Sequence, residues 1–554
     1  MILIKEGKMK KLLLIFTMLL IVFAMILSAC AGPEEETTIP PTTAPTTTPT
    51  TAPTTAPPTT APPTTSPTAP PTTTEPEPDM YGGIFKQALT VGPATPLGYP
   101  PESAPDAYSL AAHSLERLIR VKTDGTIEPK LATSWDVDKE NLTMTFYLRQ
   151  GVKFHDGTDF NAQAVKWNFD LAIEAGKASD WDSVEVVDDF TIRINLNKFT
   201  NTTLTGLAGG AFQVISPTAV EQNGLDWARN NPIGTGPFKF VEYERDARLV
   251  FERNDDYWEE GKPYLDGLEY VVIADATVRK IAFQQGELHR LTATGIDAQE
   301  LQSQGYDVNI QTGGTLVLVP DSNNPDSPFA DILVRQAVSY AIDREALAEG
   351  LGFGFARPAY QLFPGFEVSH IPDLDIHEYN PDKARELLTL AGYEGGFTTT
   401  IHTFTRIVPR DYITAIAAML NEVGIITEPD FPEAGKYTEY RFGGWSNAML
   451  GHGLAAFDNL NTTWDFYFGG IAFPSLYKSD AFRAAADAAL ASETIDPALV
   501  QQVIQIIHDE VMVIPYLEEV VVTFYQDGVH DPGIEDYMAT TFISDLAWLE
   551  PEQR

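Results

Sequence analysis

Across residues 34–79 the chain is of low complexity, dominated by threonine, proline and alanine, as in Thr42-Thr43-Ala44-Pro45-Thr46-Thr47-Thr48-Pro49. Such a stretch has too little apolar surface to offset the entropy lost on folding. Its prolines bias it toward extended polyproline II, up to ~3.1 Å per residue, so residues 30–80 are expected to form a disordered, semi-rigid stalk with Cys30 at its head. Whatever folds around a core must lie from Tyr81 onward. There the composition is globular throughout, with no second linker. The whole chain has 554 residues and is 44% hydrophobic, more apolar material than one core can use. Several cores must therefore share one continuous body.

Ahead of the stalk, Lys5, Lys8, Lys10 and Lys11 make a basic start, and an apolar run covers residues 12–27. That pattern predicts an export signal over residues 1–29. An uncleaved transmembrane helix over residues 12–29 is the alternative, and it too puts the rest of the chain outside the cytoplasm. Leu27-Ser28-Ala29-Cys30 resembles the lipobox of bacterial lipoproteins. The resemblance implies a diacylglycerol on the Cys30 sulfur, cleavage just before it, and a lipid tether to the membrane. Cys30 is the sole cysteine, which excludes an intramolecular disulfide and a cysteine-based zinc cluster.

The formal net charge is -40, so a phosphate backbone would be repelled and nucleic acid is not expected as a partner. Secondary structure is legible by period. Leu142, Met144, Phe146 and Leu148 alternate with polar residues, as do Ile192, Ile194 and Leu196, and residues 268–273 read as a more buried strand. Asn380-Pro381 caps a helix whose stripe is Ala384, Leu387, Leu388 and Ala391, stopped by Gly392. Asp496-Pro497 opens another, carrying Leu499, Val503, Ile504 and Ile507. Strands and helices interleave without a strict βαβ repeat, so the class is mixed α/β.

Motifs for chemistry are missing. The sequence has no GxSxG, HExxH, P-loop or metal-spaced His/Cys cluster. His377-Glu378 lacks the second histidine of a zincin. Gly350, Gly352 and Gly354 sit among aromatics at a helix end and read as a loop. Asp136-Val137-Asp138-Lys139-Glu140-Asn141 hints at a calcium loop, but it lacks the glycine at position six and puts Tyr147 where a glutamate belongs. It reads as a polar turn. No catalytic residue, metal site or cofactor is expected.

Four stretches carry a family resemblance. The first runs from Ile127-Glu128-Pro129-Lys130-Leu131-Ala132-Thr133-Ser134-Trp135 to Lys153-Phe154-His155-Asp156-Gly157. The second is Gly234-Thr235-Gly236-Pro237-Phe238 with Asn254-Asp255-Asp256-Tyr257-Trp258. The third is Pro328-Phe329-Ala330-Asp331 with Val334-Arg335-Gln336-Ala337-Val338-Ser339-Tyr340-Ala341-Ile342-Asp343. The fourth is Asn380-Pro381-Asp382-Lys383-Ala384 through Gly392-Tyr393. Together they closely resemble the family 5 solute-binding proteins, the oligopeptide-, dipeptide- and nickel-binding class of bacterial ABC importers.

That resemblance implies a two-lobe, periplasmic-binding-protein-like α/β fold that closes over a small solute, an oligopeptide or another organic molecule. Lobe one would take residues 81–120, 234–323 and 518–554, with an extra subdomain at 121–233 and lobe two at 325–517. A monomer that delivers its solute to an ABC permease, on the outer face of the membrane, is implied with it. In peptide-binding members a helix after the His-Asp-Gly turn offers an aromatic to the cleft, which would be Trp167 here. A second-lobe tryptophan, matched by Trp445 with Asn447 beside it, is followed three residues on by an aspartate that pairs with the peptide's amino group. Here that place is held by Ala448, which supplies no counter-charge for a free amino end. Phe442, Phe457 and Trp464 could stack on a flat solute, and Arg406 or Arg410 could meet an anionic one. Asp458 is too distant along the loop to be assumed a substitute. Two other classes stay open: a secreted, stalked hydrolase, and a sensory or adhesive lipoprotein reusing the fold.

Overall fold

Alternating apolar residues set the strands, and capped helices fill the spaces between them. The computed structural model describes residues 79–122, 125–365, 368–455, 463–470, 472–492, 494–531, 533 and 544–554. The export signal, Cys30 and the stalk up to residue 78 lie outside the described residues, as do Phe457 and Asp458.

The first strand is β1 (Ile84–Leu89), followed by a short ribbon of β2 (Ile119–Val121) and β3 (Ile127–Pro129). Next, β4 (Ala132–Asp138), β5 (Thr143–Leu148), β6 (Trp181–Asp188) and β7 (Thr191–Leu196) form a four-stranded sheet in the order β4-β5-β7-β6. The chain then lays down β8 (Phe238–Glu244), β9 (Arg248–Arg253), β10 (Gly267–Val272), β11 (Arg290–Ala293) and the long β12 (Asp307–Pro320). After β13 (Ala356–Pro358) come β14 (Phe397–His402), β15 (Ile425–Asp430), β16 (Ala448–Ala455) and a second long strand, β17 (Ile514–Tyr525). A last pair is β18 (Val529–His530) with β19 (Trp548–Leu549).

One sheet of 11 strands organises the body, in the order β15-β14-β16-β12-β17-β11-β1-β10-β9-β8 with β13 also on β17. Its centre is the antiparallel pair β12–β17, in register from Asp307 opposite Tyr525 to Leu318 opposite Ile514. β16 joins only the Gly314–Pro320 part of β12, whereas β11 joins only the Val522–Tyr525 end of β17. Two sets of strands are thus hung on opposite ends of one two-stranded bridge. A bulge between Thr312 and Gly314 bends that bridge at its middle. Both residues of Gly313-Gly314 need to be glycine. A Cβ on Gly313 would lie 2.9 Å from the Glu519 carbonyl oxygen, and one on Gly314 would lie 2.5 Å from that of Leu454.

The elements read from the sequence take their places. Met144, Phe146 and Leu148 point into the core from β5, while Leu142 sits just before it in a turn with φ 52°. The Asn380 and Asp496 side chains accept from the Lys383 and Ala498 amides and cap helices Pro381–Leu390 and Pro497–Asp509. The polar turn at 136–141 is closed by Asp138, which accepts from the Asn141 backbone and side-chain amides.

Two of the four sequence stretches meet in one buried polar network. Glu116 accepts hydrogen bonds from Tyr257 (2.8 Å), Trp258 Nε1 (2.8 Å) and Thr235 (2.9 Å). Lys130 lies 3.8 Å from Glu116 and 3.0 Å from Asp545, which also pairs with Arg120 at 3.1 Å. Burial alone would raise the Asp545 carboxyl, but the charges of Lys130 and Arg120 outweigh it and hold the group well below the ordinary range. In Glu116 burial wins, and its carboxyl is raised. Two arginines beyond are buried against carbonyls: Arg335 donates to Phe329, Glu510 and Val511, and Arg344 to Ser339, Ala359 and Pro515. These motifs hold the fold.

Candidate solute site

Where β12 and β17 bridge the two strand sets, they floor a cavity of about 580 Å³. One wall comes from Thr292, Thr294 and Gly295 at the end of β11, the opposite wall from Arg406, Tyr412 and Leu454. Gly313 and Glu519 lie in the floor between them. That volume falls within the roughly 300–1,000 Å³ of sites that enclose small molecules. The surfaces are mostly aliphatic and aromatic, with threonine hydroxyls and two opposite charges set among them. Tyr412, on helix Arg410–Glu422, donates to the Leu351 carbonyl at 3.3 Å, which fixes its ring in the wall.

Arg406 follows β14 in the loop leading to that helix. It is exposed and, among the described residues, has no ionic or hydrogen-bonded partner. The structure therefore brings Arg406 to the cavity, and it does not bring the other three sequence-predicted contacts there. Trp167 lies on helix Ala162–Glu174, half-buried against Ala111, Leu115 and Ile215, and is not part of the cavity wall. Trp445 is 5% exposed in the core beside Phe473, with ring centroids 6.1 Å apart. Asn447 takes a left-handed turn (φ 51°); its amide donates to Asp321 and its carbonyl accepts from Thr399. Both precede β16, whose other end, Gly453–Ala455, is the one that lines the cavity. Eight residues of strand separate the two ends by about 23 Å. Ala448 is buried at the far end as well. Arg410 covers the Phe431 ring at 3.8 Å, Trp464 is core, and Phe442 is exposed.

Glu519 went unnoticed in the sequence, though a signal was present. Pro515-Tyr516-Leu517-Glu518-Glu519-Val520-Val521-Val522 sets two acids inside an apolar run that otherwise reads as a buried strand. Among the described residues no group of three or more His, Cys, Asp or Glu side chains could hold a metal ion.

A family model described as "Bacterial extracellular solute-binding proteins, family 5 Middle" matches residues 126–473. The chain belongs to this family. Heme-binding protein A of Haemophilus influenzae is 30% identical to this family 5 protein over 397 residues, 63% of this chain and 72% of the relative. The glutathione-binding protein GsiB of Pectobacterium atrosepticum is 33% identical over 329 residues, 57% of this chain and 63% of its own length. Among solved structures, the periplasmic binding protein DppA of Helicobacter pylori, in complex with the peptide STSA, superposes with a TM-score of 0.73 at 24% identity. That match covers 85% of this chain and 99% of DppA, and it shows a shared fold.

Proposed function

We propose that this family 5 protein captures a small organic solute, a peptide or a similarly sized molecule, in the cavity over β12 and β17. It then delivers that solute to the permease of an ABC importer. The observation that carries the proposal is the 580 Å³ cavity walled from both strand sets, with the unpaired Arg406 facing into it. Residues 81–120, 234–323 and 518–554 would move as lobe one, with 121–233 as its extra subdomain and 325–517 as lobe two. In support, among the described residues only β12 and β17 join the two strand sets within the sheet, so bending at the 312–314 bulge would swing one wall against the other. Closure that buries the solute links the hinge equilibrium to affinity.

The test is native mass spectrometry of protein purified without denaturant, together with thermal melts against tripeptides, glutathione and haem. A retained small solute, or a melt raised by one of these, is the expected result. Protein that carries nothing and responds to none of them would defeat the proposal.

We further propose that a lipid on Cys30 holds the protein at the outer face of the membrane, with the stalk as spacer. Support comes from the lone thiol closing Leu27-Ser28-Ala29-Cys30. Cys30→Ser should block processing, so that unprocessed precursor accumulates and mature, lipid-modified protein disappears from the membrane fraction. Normal processing with unchanged membrane association would refute it.

A further inference from the structure

We propose that Glu519 is a specificity-determining residue that binds a cationic group, such as a protonated amine, on the solute. The inference rests on the solute-binding proposal above and goes beyond it by naming a charge the solute must carry.

Adjacent strand residues face opposite ways, so Glu518 and Glu519 on β17 have different surroundings. Glu518 is buried and satisfied: it accepts from the Gly365 amide at 2.8 Å and lies 3.7 Å from Arg357. Glu519 turns to the other side, into the cavity floor. Among the described residues its carboxylate has no hydrogen bond and no ion pair, and burial pushes it up to about 7.

Its backbone is held on both edges, opposite Gly314 of β12 and Ala356 of β13, so the strand is fixed whatever the side chain does. Among the described residues that line the cavity, Glu519 is the single acid and Arg406 the single base, yet the two are not within ion-pair distance. A half-buried carboxylate with no counter-charge costs stability and adds none to the empty protein. A cation brought by the solute would supply the missing charge, and an anionic group on the same molecule would meet Arg406. This gives a route to amine recognition that does not need an acid at position 448.

The experiment uses wild type, Glu519→Gln and Glu519→Asp in isothermal titration with tri-alanine and glutathione and with their N-acetylated forms. Wild type should prefer the free amines. Loss of a buried charge partner should weaken free-amine binding by ~30-fold or more in Glu519→Gln. The acetylated forms should be unaffected by the change, and Glu519→Asp should restore part of the loss. The unliganded melting temperature of Glu519→Gln should be no lower than that of wild type, because the variant has no charge to bury. A lowered melting temperature with equal weakening of both probe types would assign Glu519 a structural role and overturn the inference. Wild type that binds neither free amine would overturn it too, as would a co-purified solute without a basic nitrogen. In both of those cases a retained solute in native mass spectrometry would leave solute capture standing.

Discussion

Lys130→Met will cost the folded body about 3–5 kcal/mol, the usual penalty for removing one partner of a buried ion pair. Lys130 stands between two carboxylates that are both nearly inaccessible, Glu116 at 3.8 Å and Asp545 at 3.0 Å. Asp545 would keep Arg120 at 3.1 Å, with Lys262 at 3.9 Å, so the loss there is partial. Glu116 would keep three neutral donors and lose the Lys130 charge. Denaturant unfolding of wild type and variant at neutral pH measures the difference. The penalty should also shrink in acid. The folded-state value of Asp545 lies below its ordinary 3.8. Its contribution is therefore present above that ordinary value and lost as pH falls through the folded one. Glu116, already raised by burial, takes up a proton more readily once Lys130 is gone, and a neutral carboxyl needs no counter-charge. A loss below about 1 kcal/mol at neutral pH would show that Lys130 is no more than an exposed-type pair.

This network also explains why the fold was legible in the sequence. Lys130, Thr235, Tyr257 and Trp258 belong to motifs that are far apart in the chain. The fold gathers them around one buried carboxylate, Glu116, and Lys130 links that carboxylate to Asp545. Amphipathic period supplied the rest: Met144, Phe146 and Leu148 on one face of β5, and Val503, Ile504 and Ile507 on one face of their helix. The topology of the bridge was not accessible in this way. β12 and β17 pair across about two hundred residues, and the bulge at 312–314 leaves no signature beyond two adjacent glycines.

The candidate site was less legible than the fold, and β16 shows the reason. Family position and local sequence bring a tryptophan near the start of this strand, but neither says which end opens on the cavity. In the structure it is Gly453–Ala455, so the aromatic and the alanine that drew attention stand a strand's length away. Arg406 reached the cavity because it lies in a loop whose place is set by β14 and helix Arg410–Glu422. Glu519 could be found only once β17 was known to cross between the strand sets. Before that, an acid in an apolar run had no cavity to face.

Trp445→Ala will destabilise the protein by about 3–5 kcal/mol, as truncation of a packed aromatic does, and leave solute affinity unchanged. The indole is 5% exposed and meets Phe473 nearly edge-on, at an interplanar angle of 77°. Its backbone is fastened at the same point: the amide donates to Ser475 Oγ at 2.8 Å, and that hydroxyl donates back to the Trp445 carbonyl at 2.7 Å. One feature lowers the cost toward the bottom of the range. Among the described residues the buried Trp445 Nε1 has no hydrogen-bond partner, so its removal relieves an unsatisfied donor. Trp445→Phe, which keeps much of the packing and drops that donor, should therefore lose far less than Trp445→Ala. Affinity is insulated by distance, since about 17 Å of β16 separates this end from Gly453, where the cavity lining begins. Melting curves with and without tri-alanine or glutathione read both quantities at once. A variant that melts like wild type when empty but binds ten-fold or more weakly would place the indole against solute, and the cavity over the crossing strands would then not be the whole of the site.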